Sequence, residues 1–400
     1  MATSFLPYGR HDIDDDDVAA VAQVLRGDFL TTGPTVDAFE DKLAGITGGK
    51  FAVSCSSGTA ALHLATLAIC LGPGDLAVVP TITFLATANA VRYVGADVVF
   101  CDVDPDTGLM RPQDLEQAIV EHGGAIKAVL PVHLAGQSPD MQGIGEIARK
   151  HGIVVIEDAC HALGTLYAAS GGEAPVGSCR DSDMAVFSFH PVKVIAMGEG
   201  GALTTNDEVL ATRLREFRSH GMTRDAARFT NDDLALAKDG TTNPWYYEMQ
   251  ELGFNYRASD IHCALGLSQL AKLDKFVERR RLLASRYDAL LAPLAPLVRT
   301  LGRMPGCLPA WHLYVALIDF DGAGVTRGEL MERLKKNGVG TQVHYIPVHT
   351  QPYYQDQYGA KELPGATAYY ARCLSLPLFA AMDEEDVERV VKALVVELGI

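Results

Sequence analysis

A lysine, an acid, a hydroxyl-rich turn and an aromatic ring each follow an apolar run in this chain. Ser188-Phe189-His190-Pro191-Val192-Lys193 trails the strand-like run MAVFSF, and Gly198, Gly200 and Gly201 follow closely. A lysine in a partly desolvated pocket loses its proton and attacks carbonyls; on an open surface it is only a solvated cation. The nearby glycines permit a tight turn and close backbone approach. Asp158 ends the run IVVIED. An acid at the end of a buried strand needs a cationic or hydrogen-bonding partner. A pyridinium nitrogen is one such partner, and capping the next helix is the plainer alternative. Ser56-Ser57-Gly58-Thr59-Ala60 links FAVSC to a helix-like stretch. Such a turn offers N–H groups and hydroxyls to a phosphate, or merely caps the helix. Phe84 closes LAVVPTITF, where its ring either stacks on a planar ligand or joins the core. Together the four features suit one aldehyde cofactor bearing a phosphate and a pyridine nitrogen. The expected cofactor is pyridoxal 5'-phosphate (PLP).

The elements that must position these residues are legible as alternation. FAVSC, LAVVPTITF, ADVVFCDV and AIKAVLPV are short apolar runs, each followed by a helix-like stretch, and IVVIED is a fifth run that ends at an acidic pair. This βα repetition predicts a mainly parallel sheet with helices on both faces. Near-continuous apolar strands fit burial on both sides, and ligands in such sheets sit at the carboxyl ends of the strands. After Asn206 the pattern predicts a helix over EVLATRLREFRSHG and one long helix from about Ser259 to Leu291. The remainder reads as strand HLYVALIDF, helix TRGELMERLKKNG, strand VGTQVHY and two more helices. The expected division is a large domain over 1–285 and a small α+β domain over 286–400. DIDDDD, at 12–17, reads as an acidic helix N-terminus; a metal site is the weaker alternative, and none is expected.

The chain has 400 residues, 48% hydrophobic and 21% charged, an ordinary globular composition. Its net charge of −16 argues against a nucleic-acid face, yet leaves room for a small anion at a helix N-terminus. No apolar run approaches the ~18 residues of a membrane span, and no leader-like N-terminus is seen. Neither nucleic acid nor membrane is expected as a partner, and the expected location is the cytoplasm. Eight scattered cysteines lack C-x-x-C spacing and read as reduced thiols.

Several segments carry a family resemblance: SSGTAALH, PTITFLATANAV, VIEDACHALG, SFHPVK…GEGGALTTND and LGFNYRASDIHCALGLSQL. In this order they resemble the DegT/DnrJ/EryC1/StrS family of sugar aminotransferases, over nearly the whole chain. The resemblance implies the fold-type I aminotransferase fold, an α/β architecture, and a homodimer with active sites between subunits. Within the family, FLTTG, FRSHGM, GFNYR and VHYIPVHTQPYY are similar to the UDP-sugar C4 transaminases of the pseudaminic acid pathway. Those enzymes aminate UDP-4-keto-6-deoxy-N-acetyl-β-L-altrosamine with L-glutamate as donor.

The resemblance implies roles residue by residue. Lys193 matches the Schiff-base lysine and Asp158 the partner of the pyridinium nitrogen. His161 sits near the cofactor ring. Gly58, Thr59, Ala60 and Ser188 match the phosphate site, Phe84 the stacking aromatic, and Asn255 an asparagine lent by the neighbouring subunit. Tyr8, Phe29, Leu30, Thr31, His344 and Tyr345 fall at positions resembling the sugar-nucleotide site. Ala196 and Met197 stand where many relatives carry threonines, and 226–245 does not align. The implied reaction runs in two halves, glutamate donating and the keto-sugar accepting, with ping-pong kinetics. A lysine at 193 argues against the family's dehydratases, which carry histidine there. C4 or C3 amination of another nucleotide keto-sugar, such as GDP-4-keto-6-deoxymannose, is the alternative. A non-catalytic PLP-binding sensor is the remote one.

Overall fold

The computed structural model describes residues 5–400. Its centre is a seven-stranded sheet in the order Phe51–Cys55, Gly201–Thr205, Met184–Ser188, Val154–Asp158, Ile126–Val129, Leu76–Pro80, Asp97–Cys101. Gly201–Thr205 runs antiparallel to both neighbours, and the other strands share one direction. Their carboxyl ends therefore open on the same edge of the sheet. The expected βα alternation is present, with helices Gly58–Ala68, Leu85–Tyr93, Pro112–His122 and Met141–His151 between strands. Strand residues are buried almost throughout because helices cover both faces.

The strand expected over 76–84 stops at Pro80. Beyond it the threonines are tied by side-chain bonds: Thr81 Oγ1 lies 2.6 Å from His349 Nδ1, and Thr83 Oγ1 lies 2.7 Å from Thr87 Oγ1. The long helix expected from Ser259 is two, Asp260–Leu270 and Leu273–Leu291. Lys272 sits at the break and pairs with Asp14 and, at 2.8 Å, Asp17. Those acids belong to the charge run, where Asp14 caps the helix Asp15–Leu25 in a capping box with Asp17.

The second half of the chain builds a three-stranded antiparallel sheet from Val298–Thr300, Tyr314–Ile318 and Cys373–Leu376. The outer two strands were not legible in the sequence. VGTQVHY does not form the expected strand: it makes single bridges, Val339 to Leu6 and Gln342 to Ser375. Three helices follow instead of two, Pro352–Tyr358, Pro364–Arg372 and Glu384–Leu398. Proline opens the first two, where a missing N–H costs nothing. Residues 285 and 286 both lie inside the helix Leu273–Leu291. One apolar cluster joins Val79, Ile156 and Leu203 of the large sheet to Val315, Leu317 and Leu394 of the C-terminal part.

Candidate active site

The carboxyl edge of the sheet borders a cavity of ≈ 580 Å³. The strand Val154–Asp158 delivers Asp158 to its wall. Asp158 is buried. Its Oδ2 accepts the Thr87 hydroxyl at 2.6 Å, and its Oδ1 accepts the Cys160 N–H at 3.2 Å. The next strand, Met184–Ser188, brings in Ser188, and the turn after it brings Lys193. Phe189 anchors that turn in the core, edge-on to Phe39 at 5.4 Å, while the Lys193 N–H donates to the His190 carbonyl at 2.8 Å. Burial pushes the Lys193 amine below its ordinary range, against the opposing pull of Cys160 and Asp158.

The third strand, Phe51–Cys55, leads into the helix Gly58–Ala68. Ser57 caps it, its Oγ accepting the Ala60 N–H at 3.1 Å. The plain capping role is therefore real for Ser57. The first-turn N–H groups of Gly58 and Thr59 lack intrahelical acceptors by geometry, and both residues line the cavity. A Cβ on Gly58 would stand 2.8 Å from the Ser188 Cβ and 3.3 Å from the Cys160 Sγ. Only glycine lets this turn seat against Ser188. Phe84 is 56% exposed at the cavity rather than packed in the core.

Tyr8, His344 and Tyr345 also line the cavity. Tyr345 Oη lies 3.0 Å from His161 Nε2, and His344 Nδ1 lies 2.8 Å from Ser375 Oγ. Burial lowers His344 to about 3, helped by the Lys193 charge, so it is neutral. Burial likewise holds His161 well below the usual imidazole range, with Lys193, His344 and His133 adding to the effect.

Of the expected site residues, ten line this cavity: Tyr8, Gly58, Thr59, Phe84, Asp158, His161, Ser188, Lys193, His344 and Tyr345. Ala60 does not, its N–H being spent on Ser57. Phe29, Leu30 and Thr31 also lie outside it. Leu30 and Thr31 are tied to the start of the helix Asp260–Leu270, through the Leu30 carbonyl to Asp260 and a bridge from Thr31 to Ser259. Asn255 bridges to Ser219 and is likewise outside. The unaligned segment 226–245 forms an arm tied down by Glu248 just beyond it, which accepts the N–H groups of Thr230 at 2.9 Å and Asn231 at 2.8 Å. Trp245, Tyr247 and Met249 of that region are exposed. Sequence reasoning missed Thr87 and His312. Only the Thr83–Thr87 spacing, one helical turn, offered a signal for the former.

PLP fits this wall. An amine and a carboxylate sit with a helix N-terminus and an exposed ring around one cavity, and the buried Nδ1 of His161 has no partner among the described residues.

The model of the DegT/DnrJ/EryC1/StrS aminotransferase family matches residues 11–395. The spore coat polysaccharide biosynthesis protein SpsC of Bacillus subtilis (strain 168) is 41% identical over 392 residues, covering 97% of this chain and 96% of that protein. Helicobacter pylori PseC, an aminotransferase involved in pseudoaminic acid biosynthesis, superposes with a TM-score of 0.87 at 29% identity, covering 99% of this chain and all of that one. Spr1654 of Streptococcus pneumoniae in its PLP form superposes with a TM-score of 0.86 at 27% identity, covering 99% of each chain; it has also been solved in a PMP form.

Proposed function

The chain belongs to the DegT/DnrJ/EryC1/StrS family and is a PLP-dependent sugar aminotransferase, and we propose that it moves the amino group of L-glutamate to C4 of a UDP-4-keto-6-deoxy-N-acetylhexosamine. The observation that carries this reading is the gathering of Lys193, Asp158, Tyr8, His344 and Tyr345 around one cavity. The overlap with PseC along the whole chain supports a substrate of the pseudaminic acid type.

Bound PLP supplies an electron sink for the carbanion formed at the donor carbon. The chain's own residues do the rest. Lys193 Nζ, its amine brought down by burial, anchors the cofactor and then accepts and returns the proton during transfer. Asp158, its carboxyl oriented by Thr87 and the Cys160 N–H, would pair with the ring nitrogen. Gly58, Thr59 and Ser188 would hold the phosphate, and Phe84 and His161 the ring. Tyr8, His344 and Tyr345 offer neutral polar groups to an uncharged sugar ring.

The working form in this reading is a homodimer with shared sites. Asn255, Phe29, Leu30 and Thr31 lie outside their own chain's cavity, which suits residues lent to a neighbour. Exposed Trp245 and Tyr247 supply apolar surface for such contact. Among the described residues no helix is long and apolar enough to cross a membrane.

A second reading is amination of another nucleotide keto-sugar. The higher identity to SpsC, a spore coat polysaccharide protein, favours it. One experiment separates the two. The enzyme is converted to its amino-cofactor form with L-glutamate, freed of excess donor and given UDP-4-keto-6-deoxy-N-acetyl-β-L-altrosamine. Return of the visible band with a 4-amino product supports the UDP reading. Bleaching by glutamate without that return, and recovery with a GDP- or dTDP-linked keto-sugar, selects the second.

A further inference from the structure

His312 lies beyond every motif that marks the cofactor or sugar site, yet it lines the cavity and is 3% exposed. Its ring centroid lies 4.4 Å from that of His161, with the planes tilted by 47°. We propose that His312 is a positioning residue for the aminotransferase reaction, holding the His161 imidazole in one orientation beside the cofactor.

The backbone around this contact is locked from three directions. Arg280, on the helix Leu273–Leu291, is 1% exposed. Its Nη1 donates to the carbonyls of Trp311 and His312 at 3.3 Å each and of Leu378 at 3.0 Å. Gly136 presses in from the large domain. A Cβ there would meet Trp311 N at 2.9 Å, His312 N at 3.0 Å and the His161 carbonyl oxygen at 3.1 Å. The Thr165 hydroxyl donates to the Gly136 carbonyl at 2.7 Å and accepts the Ala310 N–H at 2.9 Å. The two histidines are therefore mounted on one frame, although they come from different parts of the chain.

On its other edge His161 meets Tyr345, Oη to Nε2, at 3.0 Å. The ionisable groups acting on His161 are Lys193, His344, His133 and His312 itself, with the phenol of Tyr345 bonded directly. None is a carboxylate, so nothing in that set favours an imidazolium. A neutral imidazole held on one nitrogen by a single phenol can still tilt about its Cβ–Cγ bond. The neighbouring His312 ring blocks that tilt. This matters because His161 Nδ1 is buried without a partner among the described residues, and a small misplacement of a polar group beside a reacting centre costs much of its effect.

The proposal rests on the assignment of Lys193 as the cofactor lysine. Its test is the pH titration of the visible band of the PLP-loaded enzyme, which needs neither sugar nor turnover. His312→Ala is expected to move the midpoint by about half a pH unit or more, because a loosened imidazole changes the field at the cofactor. The same variant is expected to slow the glutamate half-reaction roughly tenfold while leaving the donor KM within about twofold. His312→Phe keeps a flat ring in the same space and is expected to titrate like the wild type. A wild-type titration for His312→Ala, or equal shifts for Ala and Phe, overturns the proposal. If the Ala variant fails to fold, His312→Leu fills the volume without a flat ring, and a wild-type midpoint there overturns it equally. Failure of the UDP-sugar reading looks different: no aminated UDP product, with the titration pattern of the variants as expected.

Discussion

Thr87 Oγ1 donates to Asp158 Oδ2 at 2.6 Å, with Thr83 Oγ1 a further 2.7 Å behind it. All three side chains are buried, so the carboxylate that faces the cavity is held by a hydroxyl relay from the start of the Leu85–Tyr93 helix. The Cys160 N–H takes the other oxygen. A hydrogen bond to a charged, buried acceptor is worth about 1.5–3 kcal/mol. Thr87→Val keeps the side chain's shape but removes the hydroxyl, both the donor to Asp158 and the acceptor for Thr83. It is expected to weaken PLP retention by about tenfold, measured by fluorescence titration of the apoprotein. Unchanged affinity together with unchanged turnover would show that the relay does not support Asp158.

Lys193→Ala is expected to abolish both half-reactions, and Lys193→Arg to do no better, because a guanidinium stays protonated. Stopped-flow absorbance with L-glutamate reads the first half directly. Near-normal turnover in either variant would sink the assignment of Lys193.

Sharing of sites between subunits is testable by complementation. Lys193→Ala and Asn255→Ala are each expected to be nearly inactive. If Asn255 acts in the neighbour's site, a mixed dimer carries one site with both defects and one with neither. Random mixing then restores about one quarter of wild-type activity, since half the dimers are mixed and half their sites intact. No recovery after co-refolding would mean that Asn255 serves its own chain's site or none.

Glu248 gives the arm a pH dependence. Burial alone would raise this carboxyl, but the N–H groups of Thr230 and Asn231 and the Tyr246 hydroxyl outweigh it and hold it down to about 2. A depressed acid contributes stability that is complete above its unfolded value, about 4.3. That contribution is lost as pH falls from there toward about 2. Limited proteolysis by an acid-active protease is expected to open residues 226–250 in that window before the sheet unfolds. Glu248→Gln is expected to expose the same segment at neutral pH. Equal protection of the variant and the wild type at pH 7 would refute the role.

Arg280 is a buried cation whose Nη1 bonds to three carbonyls. Burial lowers its guanidinium to about 10, so it stays charged at neutral pH. Two effects oppose each other in Arg280→Met: relief of a desolvated charge and three carbonyls left without this donor. At about 1–3 kcal/mol for each unsatisfied group, the second is expected to win by about 2 kcal/mol overall. Thermal unfolding should show a lower Tm, and a raised one would reverse the ranking of the two effects.

The chemistry was legible in the sequence because it is written locally. A strand that ends in an acid, a strand that runs into a lysine turn and a strand that feeds a Ser-Gly-Thr helix start each place their own functional group. The parallel sheet follows from the βα alternation, and Asp14 capping its helix follows from the acidic run. Departures came where a distant partner overrode local pattern. Lys272, drawn to Asp14 and Asp17, divides what reads as one helix. The side-chain bonds of Thr81 and Thr83 accompany the end of an apolar run at Pro80. VGTQVHY has strand-like residues but only single bridges to pair with.

The amino-acid order by itself determined the parallel strands of the large sheet, the helices between them and the residues at their ends, since those depend on neighbours within a few positions. Tertiary structure decided what faces those residues. Thr87 reaches Asp158 across 71 positions, and Tyr345 reaches His161 across 184. His312 lies against His161 because Arg280, Gly136 and Thr165 fix the two backbones together. Such pairings are set by how helices and sheets pack, and no local propensity or spacing encodes them.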